Sequence, residues 1–202
     1  MKRYFFYFVG LWIATLGVAS VITSDMGAGP WDTVFVGLSN NIGLTPGNWV
    51  IIVGALLMII NAYLSKKQPD FPAFLTIFTT GVFVDINLKL LEFIELNNMT
   101  QRILLFIIGF ILLIIGGGTY LQAKLAPNPI DNLMLVMHKK FGFSLAISRL
   151  LGESFAVLMG LLLSGPVSYG TVVVALFIGP AIQISYNVMS KIYNCPTQEG
   201  TA

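Results

Sequence analysis

The chain has 202 residues, of which 56% are hydrophobic and 10% are charged, and its mean hydropathy is +0.84. A soluble domain carries about 25% charged residues, so the composition excludes a soluble enzyme, a disordered tail and a nucleic-acid-binding protein. The net charge of +2 is too small to indicate a polyanionic partner, and the single cysteine, Cys195, excludes an internal disulfide. The class that remains is an all-α polytopic membrane protein.

Six mostly apolar stretches have the length of about 20 residues that crosses a bilayer. The first follows Lys2 and Arg3, and because its apolar part is longer than that of a signal peptide, we expect an uncleaved helix. The predicted spans are Tyr4–Thr23, Asn48–Leu64, Pro72–Leu91, Ile103–Leu121, Leu145–Leu163 and Gly170–Ser190. The polar end of the chain, 193–202, is predicted to be a flexible cytoplasmic tail.

Two shorter helices are predicted, over 30–42 and 129–141. Each begins with an N-cap residue, a proline at the first helical position and an aspartate at the third, where a carboxylate favours the helix dipole. These residues are Gly29, Pro30 and Asp32 in the first helix, and Asn128, Pro129 and Asp131 in the second. Helices of about 20 Å cannot cross a hydrocarbon core of about 30 Å, so each is either a re-entrant half-helix or lies at the interface.

The two halves of the chain resemble one another at an offset of 99 residues, which becomes 98 after a one-residue slip. Matches of glycine, proline and aspartate recur 99 residues apart, and the aligned pairs are Gly10 with Gly109, Gly17 with Gly116, Pro30 with Pro129, Asp32 with Asp131, and Gly43 with Gly142. We therefore predict two repeats, 1–97 and 98–192, each with three spans and one half-helix. Because three is odd, the second repeat is expected to be inverted in the membrane, as in many secondary transporters.

Basic residues predict the orientation of the spans. With six spans, eight of the cations fall on one side, which is expected to be cytoplasmic together with both termini, and Arg102 falls on the other. The eight are Lys2, Arg3, Lys66, Lys67, Lys124, Lys139, Lys140 and Lys191.

Pairs of glycines seven residues apart mark one face of the first span and one face of the fourth. They are Gly10 and Gly17 in the first, and Gly109 and Gly116 in the fourth. Small residues let helices approach closely. This pattern predicts packing of these two spans against each other, and a dimer contact is the alternative.

The residues around the two half-helices resemble those of the YczE-like membrane proteins, a family grouped with the YitT-type bacterial membrane proteins. The resemblance rests on Gly27-Ala28-Gly29-Pro30-Trp31-Asp32, Gly37-Leu38, Ile42-Gly43-Leu44-Thr45, Trp49, Pro69-Asp70-Phe71, Asn128-Pro129-Ile130-Asp131 and Gly179-Pro180. It covers nearly the whole chain. It implies a multi-pass protein of the bacterial plasma membrane and supplies no catalytic residues.

Ionisable residues inside spans are costly and are candidates for function. Asp85 lies in the third span, four residues before Lys89, so it either pairs with Lys89 or serves as an ion or proton site. Its counterpart in the second repeat is Gln183. Arg149 and Glu153 are also four residues apart, and we interpret them as a structural pair.

The leading hypothesis is a small transporter or channel for a solute or ion, and the alternative is a membrane scaffold or regulatory protein without transport. The dipoles of the half-helices favour an anion and the carboxylates favour a cation, so the sequence leaves the substrate charge open.

We expect no catalytic residue, metal or cofactor; His138, the single histidine, is interpreted as an interfacial residue. The bilayer is the expected partner, and a second copy or another membrane protein is a further candidate. The candidate binding residues are Gly29, Pro30, Trp31, Asp32, Asn128, Pro129 and Asp131, with Asp85 and Gln183 behind them.

Overall fold

A computed structural model describes residues 2–126 and 128–194, which form eight helices and no strand. This confirms the all-helical fold class. The end of the predicted tail, 195–202, lies outside the described residues, whereas its first two residues belong to the last helix. The helices are α1 Lys2–Thr23, α2 Pro30–Ile42, α3 Pro46–Ser65, α4 Phe71–Leu91, α5 Met99–Leu121, α6 Pro129–Phe141, α7 Leu145–Leu162 and α8 Tyr169–Asn194.

Six helices, α1, α3, α4, α5, α7 and α8, are long and apolar enough to cross a membrane. This confirms the six predicted spans. Their outer faces carry many exposed large apolar side chains, such as Leu104, Ile107 and Ile111 on α5. Soluble proteins rarely expose so large an apolar surface to water. The protein is therefore a multi-pass membrane protein whose outer faces contact lipid.

The two short helices have 13 residues each, and α2 and α6 begin and end where the sequence predicts. In α6 the Asn128 side chain accepts a hydrogen bond from the Ile130 N–H and so caps the helix start. Gly142, with a left-handed backbone at φ 75°, ends it. Capping residues thus fix the length of α6 locally, and neither short helix is long enough to span a bilayer.

The helices α1 and α5 pack closely through their glycines. A Cβ atom on Gly116 would lie 2.1 Å from the backbone nitrogen of Ala14, and one on Gly17 would lie 2.3 Å from that of Leu113. Gly10 and Gly109 face the partner helix in the same way. The backbones therefore touch along this seam, and a side chain at any of these glycines would push the helices apart.

Each short helix packs against a span from the other half of the chain. In α2, Thr33 lies against Gly160 of α7, where a Cβ atom would come within 2.1 Å of the threonine Oγ1. In α6, the Pro129 carbonyl accepts a hydrogen bond of 2.8 Å from the Asn61 side chain of α3. The two halves are therefore interlocked through their short helices.

The order of one long, one short and two long helices occurs twice along the chain. Several neighbour relations also recur when the halves are exchanged, because α1 packs against α4 and α5 packs against α8 in addition to the α1–α5 seam. The inverted direction of the second half in the membrane stays a prediction.

Several basic residues lie at one end of the long helices. Arg3 at the start of α1 donates hydrogen bonds to the carbonyls of Ala123 and Lys124 after α5, and Lys2 lies over the Tyr193 ring of α8. At the other end of α1 and α5, Asp25 pairs with Arg102. The grouping matches the two predicted sides, and the assignment of one side to the cytoplasm stays a prediction.

Candidate functional site

The two short helices start in the protein interior and end at its surface. Pro30 and Pro129, at their first positions, are buried, whereas Asn41 and Lys140, near their ends, are exposed. Trp31 from α2 belongs to the same apolar cluster as Ile130 from α6. The N-termini of both short helices therefore point toward the protein interior, and their re-entry into the membrane stays a prediction.

A cavity of about 180 Å³ lies where the two helices start. Side chains from both short helix starts and from α1, α3, α4, α5 and α8 surround it, and most of them are apolar. Ligand sites are typically lined by apolar side chains together with a small number of polar groups. The polar lining residues are Thr15, Asp32, Thr76, Thr80, Tyr120 and Asn128.

Asp32 is the single charged residue among the described residues that line the cavity. Its carboxylate accepts a hydrogen bond from the backbone N–H of Gly29, as a third-position acid does in a capping box. Glycine is needed there, since a Cβ atom on Gly29 would lie 2.4 Å from the Asp32 Oδ2 atom. Burial and the nearby Glu153 raise the pKa of Asp32 to about 7, while the Gly29 hydrogen bond lowers it.

Two buried polar atoms of cavity-lining residues have no hydrogen-bond partner among the described residues. They are the indole Nε1 of Trp31 and the hydroxyl of Thr80, and both residues line the cavity. Only 8% of Trp31 is exposed. Buried donors are normally satisfied, so unpaired groups at a cavity wall indicate a place that a ligand or water can fill.

Tyr7 fixes one wall of the cavity. Its hydroxyl donates a hydrogen bond of 2.7 Å to the Thr76 side chain, which donates one of 3.0 Å to the Ala126 carbonyl. The chain of bonds joins α1, α4 and the loop before α6, so Thr76 is held in one orientation at the wall.

Asp131 belongs to a second group of charges beside the cavity. Its charge interacts with those of Arg149 and Glu153, both from α7. Burial raises the pKa of Asp131, and the Arg149 guanidinium lowers it. The predicted pair of Arg149 with Glu153 is present, with 3.8 Å between Nη2 and Oε1. Asp131 does not line the cavity, so the two equivalent aspartates have different surroundings.

Two candidate residues lie away from this cavity. Asp85 accepts hydrogen bonds from the Thr45 hydroxyl and the Gly47 N–H at the start of α3. It therefore caps α3 and does not pair with Lys89, because the free N–H groups of a helix start attract a carboxylate. Gln183 is exposed on α8, where its side chain bonds to Asn187.

Sequence reasoning missed two residues at this site. Tyr120 and Thr80 line the cavity, and nothing in their local sequence marks them. Glu153, interpreted from the sequence as the structural partner of Arg149, is buried and also interacts with both aspartates. Within 2–126 and 128–194, no group of three or more metal-ligating side chains occurs.

Comparisons with known proteins agree with the residue-level resemblance. The model of a family described as "Family of unknown function (DUF6198)" matches residues 1–187. Similar proteins from Bacillus subtilis (strain 168) are "Uncharacterized protein YyaS", 31% identical over 98% of this chain and 99% of its own length, and "Uncharacterized membrane protein YczE", 31% identical over 99% and 93%.

An "Uncharacterized protein" of Haemophilus influenzae (strain ATCC 51907 / DSM 11121 / KW20 / Rd) is 26% identical over 93% of this chain and 84% of its own length. No solved structure matches the chain. The match to YczE confirms the resemblance inferred from the short-helix residues. The chain therefore belongs to the DUF6198 family of YczE-like membrane proteins.

Proposed function

We propose that this protein is a small, non-enzymatic transporter or channel for a small cation, with an organic amine as the best-fitting substrate class. The observation that carries the proposal is the cavity of about 180 Å³ at the start of both short helices, with Asp32 as its charged group. Binding sites near the middle of a membrane protein, at the ends of broken or short helices, are typical of secondary transporters.

The balance of charge favours a cation. Each helix start supplies about half a positive charge, but each also carries a carboxyl group, on Asp32 in α2 and on Asp131 in α6. No lysine, arginine or histidine is among the described lining residues. A cation in the cavity would favour the ionised form of Asp32, and the full charge of that carboxylate then outweighs the dipole of its helix start.

The aromatic lining favours an amine. Trp31, Phe35 and Tyr120 line the same cavity as Asp32, and aromatic faces attract cations with about 0.5–2 kcal/mol each. Apolar walls also suit the carbon atoms of a small organic cation. Asp32 would bind the ammonium group, and Thr80 would accept a further hydrogen bond from it.

The scaffold hypothesis keeps one observation in its favour. The Asp32 carboxylate already accepts a hydrogen bond from its own helix start at Gly29, which is sufficient reason for an acid at this position. Under this alternative the cavity has no ligand, and the protein acts through its surface.

The test is charge movement into proteoliposomes on a solid-supported membrane. Ammonium, methylammonium, tetramethylammonium and potassium are applied in turn, with acetate as an anion control. We expect a current with one or more cations that Asp32→Asn abolishes. Asp25→Asn is the matched control, because Asp25 is exposed at a helix end and pairs with Arg102, and it should leave the current unchanged.

Gly29→Ala is a second variant that keeps the carboxylate. The added methyl group displaces Asp32 from its place, so the half-saturating cation concentration should rise. Folded wild-type protein that neither moves nor binds any of these cations would overturn the proposal in favour of the scaffold. A current that survives Asp32→Asn would overturn the assignment of the site.

A further inference from the structure

A second, larger pocket lies at the end of the molecule that carries most of the basic residues. It has a volume of about 530 Å³ and lies between the end of α3, the loop that leads to α4, and one face of α6. Four lysines line it, two from each side, against one acidic residue, Asp70. The lysines are Lys66, Lys67, Lys139 and Lys140.

Although Asp70 lines the same pocket, none of these lysines forms an ion pair in the part of the chain that the structure describes. No carboxylate lies within 4.0 Å of any of their ammonium groups in an ion pair, and Lys140 lies 5.8 Å from the centre of the Phe141 ring. Like charges held around one pocket repel each other unless an anion joins them. The polar residues Ser65, Gln68 and Asn132 also line the pocket and add hydrogen-bonding groups.

The pocket shares part of its lining with a second cavity beside the end of α3. That cavity, of about 490 Å³, shares Lys66, Lys67 and Lys140 with the first and adds Ile59 and Tyr63. Ile59 is 57% exposed and Tyr63 is 81% exposed. The lysines therefore adjoin exposed apolar side chains on a lipid-facing span, and this combination matches a molecule with an anionic head and an apolar tail.

We propose that this lysine pocket binds the phosphate headgroup of an anionic phospholipid, with an acyl chain along the outer face of α3. Basic pockets between spans bind anionic headgroups in other membrane proteins. The proposal is independent of the transport proposal, because it uses none of the residues that line the central cavity.

Binding would also hold the ends of α3 and α6 together. Lys139 and Lys140 are in the last turn of α6, and Lys66 follows the last residue of α3. A phosphate between them would bridge the two helices, and it would satisfy the positive side chains at the C-terminus of α6.

The backbone at Lys66 makes a clean test possible. Its φ of 53° is left-handed, a conformation that favours glycine, and Lys124 has the same feature with φ 48°. Lys66→Gly therefore removes the charge and relieves the backbone. Lys124→Gly is the matched control, because Lys124 is also exposed but does not line the pocket.

The experiment uses the full chain in dodecyl maltoside, with native mass spectrometry and thermal unfolding as readouts. The probes are phosphatidylglycerol, phosphatidylcholine with the same acyl chains, and inorganic phosphate. We expect phosphatidylglycerol to bind and stabilise the wild type and Lys124→Gly. Lys66→Gly should lower that affinity about fivefold to tenfold, and Lys139→Gln with Lys140→Gln should lower it further.

Three outcomes would overturn the proposal. Equal binding of phosphatidylcholine would show that the lysines do not recognise headgroup charge. Equal stabilisation by inorganic phosphate would assign the pocket to a soluble anion instead of a lipid. An equal loss in Lys124→Gly would show only a general effect of net charge.

Discussion

Replacing Asp32 by asparagine separates the two functions considered for this protein. The pKa of Asp32 rises from its ordinary 3.8 to about 7 in the folded protein, and three units correspond to about 4 kcal/mol against the ionised form. The carboxylate faces a cavity, where screening reduces the penalty, so we expect Asp32→Asn to stabilise the ligand-free protein by about 2 kcal/mol. At about 2–4 °C per kcal/mol, the unfolding temperature should rise by about 4–8 °C.

The assay is thermal unfolding of both proteins between pH 4 and pH 8. Because the folded state binds the Asp32 proton more tightly than the unfolded chain, wild-type stability should fall as the pH rises from about 4 to 7 and then level off. Asparagine does not titrate, so the advantage of the variant should grow over the same interval. An Asp32→Asn protein less stable than wild type at pH 8 would refute this reasoning, since the carboxylate would then be a helix cap.

Two further substitutions test the packing. Gly116→Val places a Cβ atom 2.1 Å from the backbone nitrogen of Ala14, so it should destabilise the α1–α5 seam by at least about 1–3 kcal/mol. Gly152→Ala should have little effect, because the nearest neighbour of its Cβ atom is 3.8 Å away. Comparing the melting temperatures of the two variants tests this prediction. Arg149→Gln leaves Glu153 buried without its cation and should cost about 3–5 kcal/mol; adding Glu153→Gln should restore most of the thermal stability, and no recovery would contradict an ion-pair role.

Local sequence rules predicted the elements of this fold well. The short helices begin and end at the predicted residues because their caps, such as Asn128 and Gly142, are set by neighbouring residues. The six spans follow from length and hydropathy. The positions of Gly17 and Gly116 predicted which faces of α1 and α5 lie in contact.

The site depended on contacts that no local rule contains. Asp85 was expected to pair with its helical neighbour Lys89 or to serve as an ion site, yet it caps a helix start some forty residues away in sequence. The cavity is assembled from seven helices, so Thr80 and Tyr120 become neighbours only through tertiary packing. The offset between halves predicted equivalent aspartates, but Asp131 has Arg149 nearby whereas Asp32 has a cavity.

The interlocked short helices also determine the order in which the protein can assemble during synthesis. The helix α2 is made early, but the span against which it packs, α7, begins more than one hundred residues later at Leu145. At about 5–20 residues per second, α2 waits roughly 5–20 seconds for this packing partner. During that time Thr33 has no Gly160 to pack against, so the insertion machinery must hold the short helix until the fifth long helix arrives.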